Sequence, residues 1–133
     1  MPLHEKTILL VEDDVIIATS EKMFLERMGY IVFHSLDGEG AIEMVREKNL
    51  DIHLILMDVD LGMGMDGIVA ATLILKESDI PIIFLSSHAE EEIIKRVNLI
   101  TPYGFIKKDL EIIDLDLMIK KALKMYEVNR VVE

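Results

Sequence analysis

Cysteine is absent from this 133-residue chain, which excludes a disulfide framework and any thiolate metal site. Long hydrophobic runs are missing too. Although 51% of the residues are apolar, they come in short stretches broken by charge, none near the roughly 18 consecutive apolar residues that a membrane span requires. The opening Met1-Pro2-Leu3-His4-Glu5-Lys6 has neither the apolar core nor the small-residue cleavage site of a signal peptide. A soluble protein in the cytoplasm is the expectation. Basic residues are scarce as well. Lys and Arg total 14 against 25 Asp and Glu, a formal net charge of -11, which opposes a direct grip on nucleic acid phosphates. No internal repeat, low-complexity tract or Ser/Gly/Pro linker is visible, so the length points to one domain over residues 1–133. Any effector domain must then lie outside these residues or on another protein.

What is present is more specific. The run Ile8-Leu9-Leu10-Val11-Glu12-Asp13-Asp14 is an apolar stretch of strand length that ends abruptly in three adjacent carboxylates. A second run, Leu54-Ile55-Leu56-Met57-Asp58-Val59-Asp60, repeats the design. In a parallel sheet, neighbouring strands place such ends at one carboxyl edge, which is where open α/β sheets bind ligands. Clustered carboxylates repel one another unless a hard cation offsets them, and Mg²⁺ suits one or two carboxylates, waters and a phosphate. The two acidic ends therefore read as a small Mg²⁺ site built for phosphoryl chemistry.

Along the chain, short apolar runs alternate with amphipathic stretches, the βαβα pattern of a parallel sheet covered on both faces. Five strands are expected near Thr7 to Val11, Tyr30 to His34, Ile52 to Met57, Pro81 to Leu85 and Gly104 to Ile106. The first helix carries Ile17, Phe24, Leu25 and Met28 at helical spacing and ends at Gly29, a natural residue just past a helix terminus. The second is expected to start after Gly38-Glu39-Gly40, the third after Asp66-Gly67, the fourth near Glu90 and the fifth near Leu110. The fifth is apolar around much of its girth, with Ile112, Leu115, Ile119 and Ala122 on one stripe and Ile113 and Leu117 beside it. That surplus is either ordinary burial or part of a partner surface. Asp14 is expected to cap the first helix rather than to ligate.

Three further features are the strand end Leu85-Ser86-Ser87, the segment Tyr103-Gly104-Phe105-Ile106-Lys107-Lys108 and the turn Met65-Asp66-Gly67. Together with the two acidic ends, and taken in their order along the chain, they resemble the receiver domain of bacterial two-component response regulators, over about Thr7 to about Tyr126. The resemblance implies a flavodoxin-like, doubly wound five-stranded parallel sheet of order 2-1-3-4-5 with helices on both faces. It makes Asp58 the phosphoacceptor, whose carboxylate attacks a phosphohistidine and becomes an acyl phosphate. Glu12 and Asp13 match the acidic pair that holds Mg²⁺ with Asp58, and Asp60 sits where the family supplies a backbone carbonyl to the metal. Lys108 matches the ammonium and Ser86, rather than Ser87, the hydroxyl that stabilise phosphoryl charge. Phe105 matches the aromatic that turns inward when that hydroxyl moves, with fixed core as the alternative for a ring lacking a hydroxyl. The implied partners are a sensor histidine kinase or histidine phosphotransfer protein and a downstream output domain or protein, with neither nucleic acid nor membrane contacted directly. The implied output face comprises the fourth helix, fifth strand and fifth helix, through which a homodimer could also form. The domain would be regulatory rather than an enzyme in its own right, catalysing only its own phosphorylation and dephosphorylation.

The chain departs from that pattern at two places. Receiver domains usually follow the lysine with a cis-proline, whereas Lys108 is followed by Asp109; a cis bond there costs roughly 2.5–4 kcal/mol, so a trans bond is expected. Lys107 is adjacent, but strand alternation sends its side chain to the other face. The loop Leu61-Gly62-Met63-Gly64-Met65 lacks the common proline, and its glycines add freedom. His88, two residues past Ser86, is placed to shape access of water. Two rivals stand beside the receiver reading. A haloacid-dehalogenase-like phosphatase also uses Asp-x-Asp after a strand, but puts that motif on its first strand, whereas Glu12 and Asp13 precede Asp58 here. A receiver-like module that binds without phosphorylation is the other, prompted by Asp109.

Overall fold

The apolar runs pair side by side because each can bury both faces only between two layers of helix. The computed structural model describes residues 5–62, 64–87, 90–101, 103–107 and 112–132. The strands are β1 (Thr7–Val11), β2 (Ile31–Ser35), β3 (Leu54–Asp58), β4 (Ile82–Ser86) and β5 (Phe105–Lys107). The helices are α1 (Val15–Arg27), α2 (Gly38–Arg46), α3 (Gly67–Glu77), α4 (Glu91–Asn98) and α5 (Ile112–Val132), with a short 3-10 turn at Lys48–Leu50. The sheet order is β2-β1-β3-β4-β5, with every pairing parallel. This is the expected doubly wound order.

Strand alternation divides the core in two. Leu9, Val11, Ile55, Met57, Ile82 and Phe84 face one side, where Ala41 of α2, Ile68, Ala70, Ala71 and Ile74 of α3 and Val97 of α4 cover them. Ile8, Leu10, Leu54, Leu56, Ile83, Leu85 and Ile106 face the other, under Ala18 and Leu25 of α1 and Leu115, Ile119 and Ala122 of α5. Among the described residues, no helix is long and apolar enough to cross a membrane.

Several boundaries differ from the sequence reading. β2, β4 and β5 lie one residue later than expected, and β3 begins at Leu54 but includes Asp58, because the β3–β4 ladder continues past it through Val59 N–H to the Leu85 carbonyl at 2.9 Å. α2 begins at Gly38, not after Gly40, since Asp37 caps it by accepting from Gly40 N at 2.6 Å. On α1 the buried residues are Ala18 and Leu25, while Ile17 is 40% and Met28 46% exposed. The small Ala18 side chain lets α1 approach the sheet closely, and Ile17 lies about 100° around the helix from it. Gly29 does follow the helix end, at φ +100°. Leu115, Ile119 and Ala122 form the buried stripe of α5, and Leu117 is 60% exposed. The side chains of Ile112 and Ile113, together with Leu110, lie outside the described residues.

A polar tie links the two ends of the second face. The Tyr30 hydroxyl donates to Asp116 Oδ1 at 2.9 Å, and Lys120 Nζ lies 3.1 Å from Asp116 Oδ2. Burial, then the hydrogen bond and charge of Asp116, holds the Tyr30 hydroxyl well above its usual pKa near 10. A raised folded pKa means the stabilisation is fully present below pH ~10 and is lost as pH climbs above it. Tyr30→Phe is therefore expected to lower stability at pH 7 by about 1–3 kcal/mol, because buried Asp116 loses a donor. It should also flatten the alkaline decline. Urea denaturation of both proteins at pH 7 and at pH values above 10 checks both effects, and parallel alkaline curves would refute the second.

Candidate phosphoacceptor and metal site

The β1–β3 register aligns Val11 with Met57, so the residues that follow, Glu12-Asp13 and Asp58, emerge side by side at the carboxyl edge of the sheet. Parallel pairing alone brings the two acidic ends together, although Asp13 and Asp58 lie far apart in the chain. One oxygen each from Glu12, Asp13 and Asp58 lies within 4.8 Å of the others.

The three adjacent carboxylates of the first acidic end have different environments. Glu12 is 1% exposed and firmly seated. Its N–H donates to the Ser35 carbonyl at 3.1 Å, its carbonyl lies 2.7 Å from His34 Nε2, and its Oε2 accepts from Asp14 N at 3.1 Å. Asp13 is exposed. Asp14 turns away into helix α1, where Oδ1 accepts from Ile16 N at 2.9 Å and Ile17 N at 3.1 Å, which satisfies donors the helix start leaves open. The expected cap is thus observed, and it separates Asp14 from the cluster. Asp58 is 1% exposed at the end of β3. Three hard oxygen donors in this arrangement fit a small divalent cation.

The hydroxyl side of the site is built from β4. Ser86 is fully buried at the last position of that strand, in register with Lys107. Its Oγ donates to Asp60 Oδ2 at 3.2 Å, while Asp60 N donates to Asp58 Oδ1 at 2.9 Å. Phe105 is half-buried against the α2–α4 core, aligned with Phe84. Lys108, its bond to Asp109, and His88 lie outside the described residues.

The sequence reading starts the third helix after Asp66-Gly67; α3 instead begins at Gly67 itself, with Asp66 as its cap, accepting from Val69 N at 2.8 Å. That reading missed how close the start comes to the acceptor. A Cβ on Gly67 would overlap the backbone carbonyl oxygen of Asp58, so only glycine lets α3 begin against β3 there. Gly62, at φ +61°, has a similar relation to the cluster: a Cβ would fall 2.8 Å from Asp13 Oδ2. Arg96 on α4 was missed too. It pairs with Asp66 Oδ2 at 3.4 Å and ties α4 to the start of α3. An arginine 30 residues away gives no local signal of such a contact.

Comparison with known proteins agrees with this geometry. The family model of the response regulator receiver domain matches residues 8–120. The transcriptional regulatory protein YvrH of Bacillus subtilis is 37% identical over 90 residues, covering 67% of this chain and 37% of that protein. The sensor kinase CckA of Brucella abortus is 28% identical over 119 residues, 89% of this chain but 12% of its own length. The chain thus spans only about a third of the regulator and less of the kinase. Among solved structures, the N-terminal domain of a response regulator/sensory box/GGDEF three-domain protein from Carboxydothermus hydrogenoformans superposes with a TM-score of 0.85 at 37% identity, covering 93% of this chain and 98% of that one. Receiver domains are generally regulatory, and it is their family model, matched over residues 8–120, that the chain fits rather than the haloacid-dehalogenase-like pattern. Sheet order, acidic edge and a match across most of the sequence lead to one statement: this chain belongs to the response regulator receiver domain family of two-component signalling.

Proposed function

We propose that this chain receives a phosphoryl group on Asp58 from a phosphohistidine of a sensor kinase or histidine phosphotransfer protein. The observation that carries the reading is the convergence of Glu12, Asp13 and Asp58 at the carboxyl edge of the sheet. An Asp58 carboxylate oxygen attacks phosphorus, the P–N bond breaks, and the leaving imidazole keeps the electron pair and takes a proton. Glu12, Asp13 and Asp58, with the Asp60 backbone carbonyl, would hold Mg²⁺, which when bound offsets the negative charge of carboxylates and phosphoryl oxygens. Ser86 donates to a phosphoryl oxygen, and Lys108 supplies an ammonium. The new dianion draws both toward it and biases two conformers, with Phe105 following Ser86 and α4, β5 and α5 carrying the altered surface to an output domain or protein, or to a second copy. The residues 1–133 are read as one receiver domain acting in the cytoplasm.

The test is intact-mass analysis after incubation with acetyl phosphate. One added phosphoryl group that requires Mg²⁺ supports the reading, and no adduct with wild-type protein, together with no beryllofluoride uptake, would sink it. The division of labour among the acidic residues is separately testable. Asp14→Ala is expected to cost about 1 kcal/mol as a lost helix cap while leaving the Mg²⁺ dependence intact. Asp13→Ala is expected to raise the Mg²⁺ concentration needed for half-maximal phosphorylation by about tenfold or more, the scale of one lost charged ligand. Mg²⁺ titrations of the phosphorylation rate would separate the two.

A further inference from the structure

The phosphoacceptor reading gives the backbone carbonyl of Asp60 a task and its side chain none. That side chain nevertheless joins two parts of the site. Asp60 N–H is held by Asp58 Oδ1 at 2.9 Å, and Asp60 Oδ2 accepts from Ser86 Oγ at 3.2 Å. A serine hydroxyl carries a single proton to donate. While that proton goes to Asp60, it is withheld from any phosphoryl oxygen on Asp58.

We propose that Asp60 is a positioning residue that latches Ser86 in its resting orientation, so that its carboxylate is the competitor a phosphoryl group on Asp58 must displace. This rests on Asp58 being the acceptor. The magnitudes suit a latch rather than a lock. A distance of 3.2 Å is long for an O–H···O bond, whose usual length is about 2.7–2.8 Å, and Asp60 is exposed, so the contact is breakable although its acceptor is ionised. A phosphoryl group would break it twice over. Its roughly two negative charges repel the Asp60 carboxylate, and its three oxygens offer Ser86 a better acceptor. Asp60 thereby sets how far the resting conformer is favoured before phosphorylation.

A double-mutant cycle tests this, with beryllofluoride as the phosphoryl mimic at saturating Mg²⁺ and affinity read by fluorine NMR. Asp60→Ala keeps the backbone N–H that holds Asp58 and removes only the carboxylate. It is expected to tighten beryllofluoride binding by about tenfold, the scale of one hydrogen bond to a charged group. In a Ser86→Ala background the same change should tighten binding only two- to threefold, roughly what removing an exposed like charge is worth. Asp60→Asn retains an oxygen that Ser86 can reach, so it should show only that smaller gain. Equal tightening by Asp60→Ala in both backgrounds, or by Asn and Ala alike, overturns the latch and leaves simple charge repulsion. Wild-type protein that takes up neither beryllofluoride nor a phosphoryl group is a different result: it removes the phosphoacceptor reading and the latch with it.

Discussion

Gly67→Ala is expected to destabilise the protein by more than about 4 kcal/mol, the range reserved for severe steric conflict in a core. Gly67 opens α3, and its N–H donates to the Val59 carbonyl at 3.2 Å. An added Cβ would overlap the Asp58 carbonyl oxygen and sit 3.1 Å from Met57 Cγ. The oxygen is backbone in a central strand and cannot rotate aside. Relief requires α3 to lift from the sheet, exposing the buried side chains of Ile68 and Ile74, or requires the end of β3 to shift. Either route also moves the carboxylate proposed to accept the phosphoryl group. Gly29→Ala is the informative control. A Cβ there meets nothing within 4 Å, but φ is +100°, so the cost should be only about 1–2 kcal/mol of backbone strain. Urea denaturation distinguishes them, and equal midpoints for the two variants would refute the steric account.

Asp58→Asn is expected to remove the phosphoryl adduct entirely while preserving the fold. The amide is nearly isosteric, and its oxygen can still accept the Asp60 N–H now bound to Asp58 Oδ1 at 2.9 Å. An amide oxygen is not the anionic nucleophile an acyl phosphate requires. The same substitution takes one carboxylate from the cluster of three, so the response to Mg²⁺ should shrink. A cation present at tenfold its dissociation constant stabilises the folded state by about 1.4 kcal/mol. For a chain of this size that is roughly 4–6 °C in melting temperature. Wild-type protein should show such a rise on adding Mg²⁺ and Asp58→Asn a much smaller one. Full phosphorylation of Asp58→Asn would instead point to Asp13 or Asp60 as acceptor, which peptide mapping after borohydride trapping would identify.

Much of this was legible in the chain. Both faces of the sheet are covered, so its strands read as unbroken apolar runs, and the acidic residues that end two of them are conspicuous for that reason. Glu12, Asp13 and Asp58 could be named from those ends, and Asp14 could be separated from them because a carboxylate two and three residues before free helix N–H groups is a cap. The first helix was less legible. Val15, Ile16, Ile17, Met23 and Met28 are all exposed, so an apolar pattern did not mark the buried side. Its contact with the sheet is made by Ala18 and Leu25, and no periodicity in one helix reveals where a small residue permits close approach.

The sequence by itself determined the class of fold, the family, and which residue types stand at the ends of β1, β3 and β4, because strand period, apolar runs and charge are local properties of the chain. Tertiary structure decided the rest. The register of β1 on β3 set Glu12 and Asp13 beside Asp58. The turn after β3 brought Asp60 to Ser86, and the start of α3 came so close to Asp58 that only glycine fits. Those are contacts between separate elements, fixed by how two helical layers pack on a twisted sheet, and no strand or helix period encodes them.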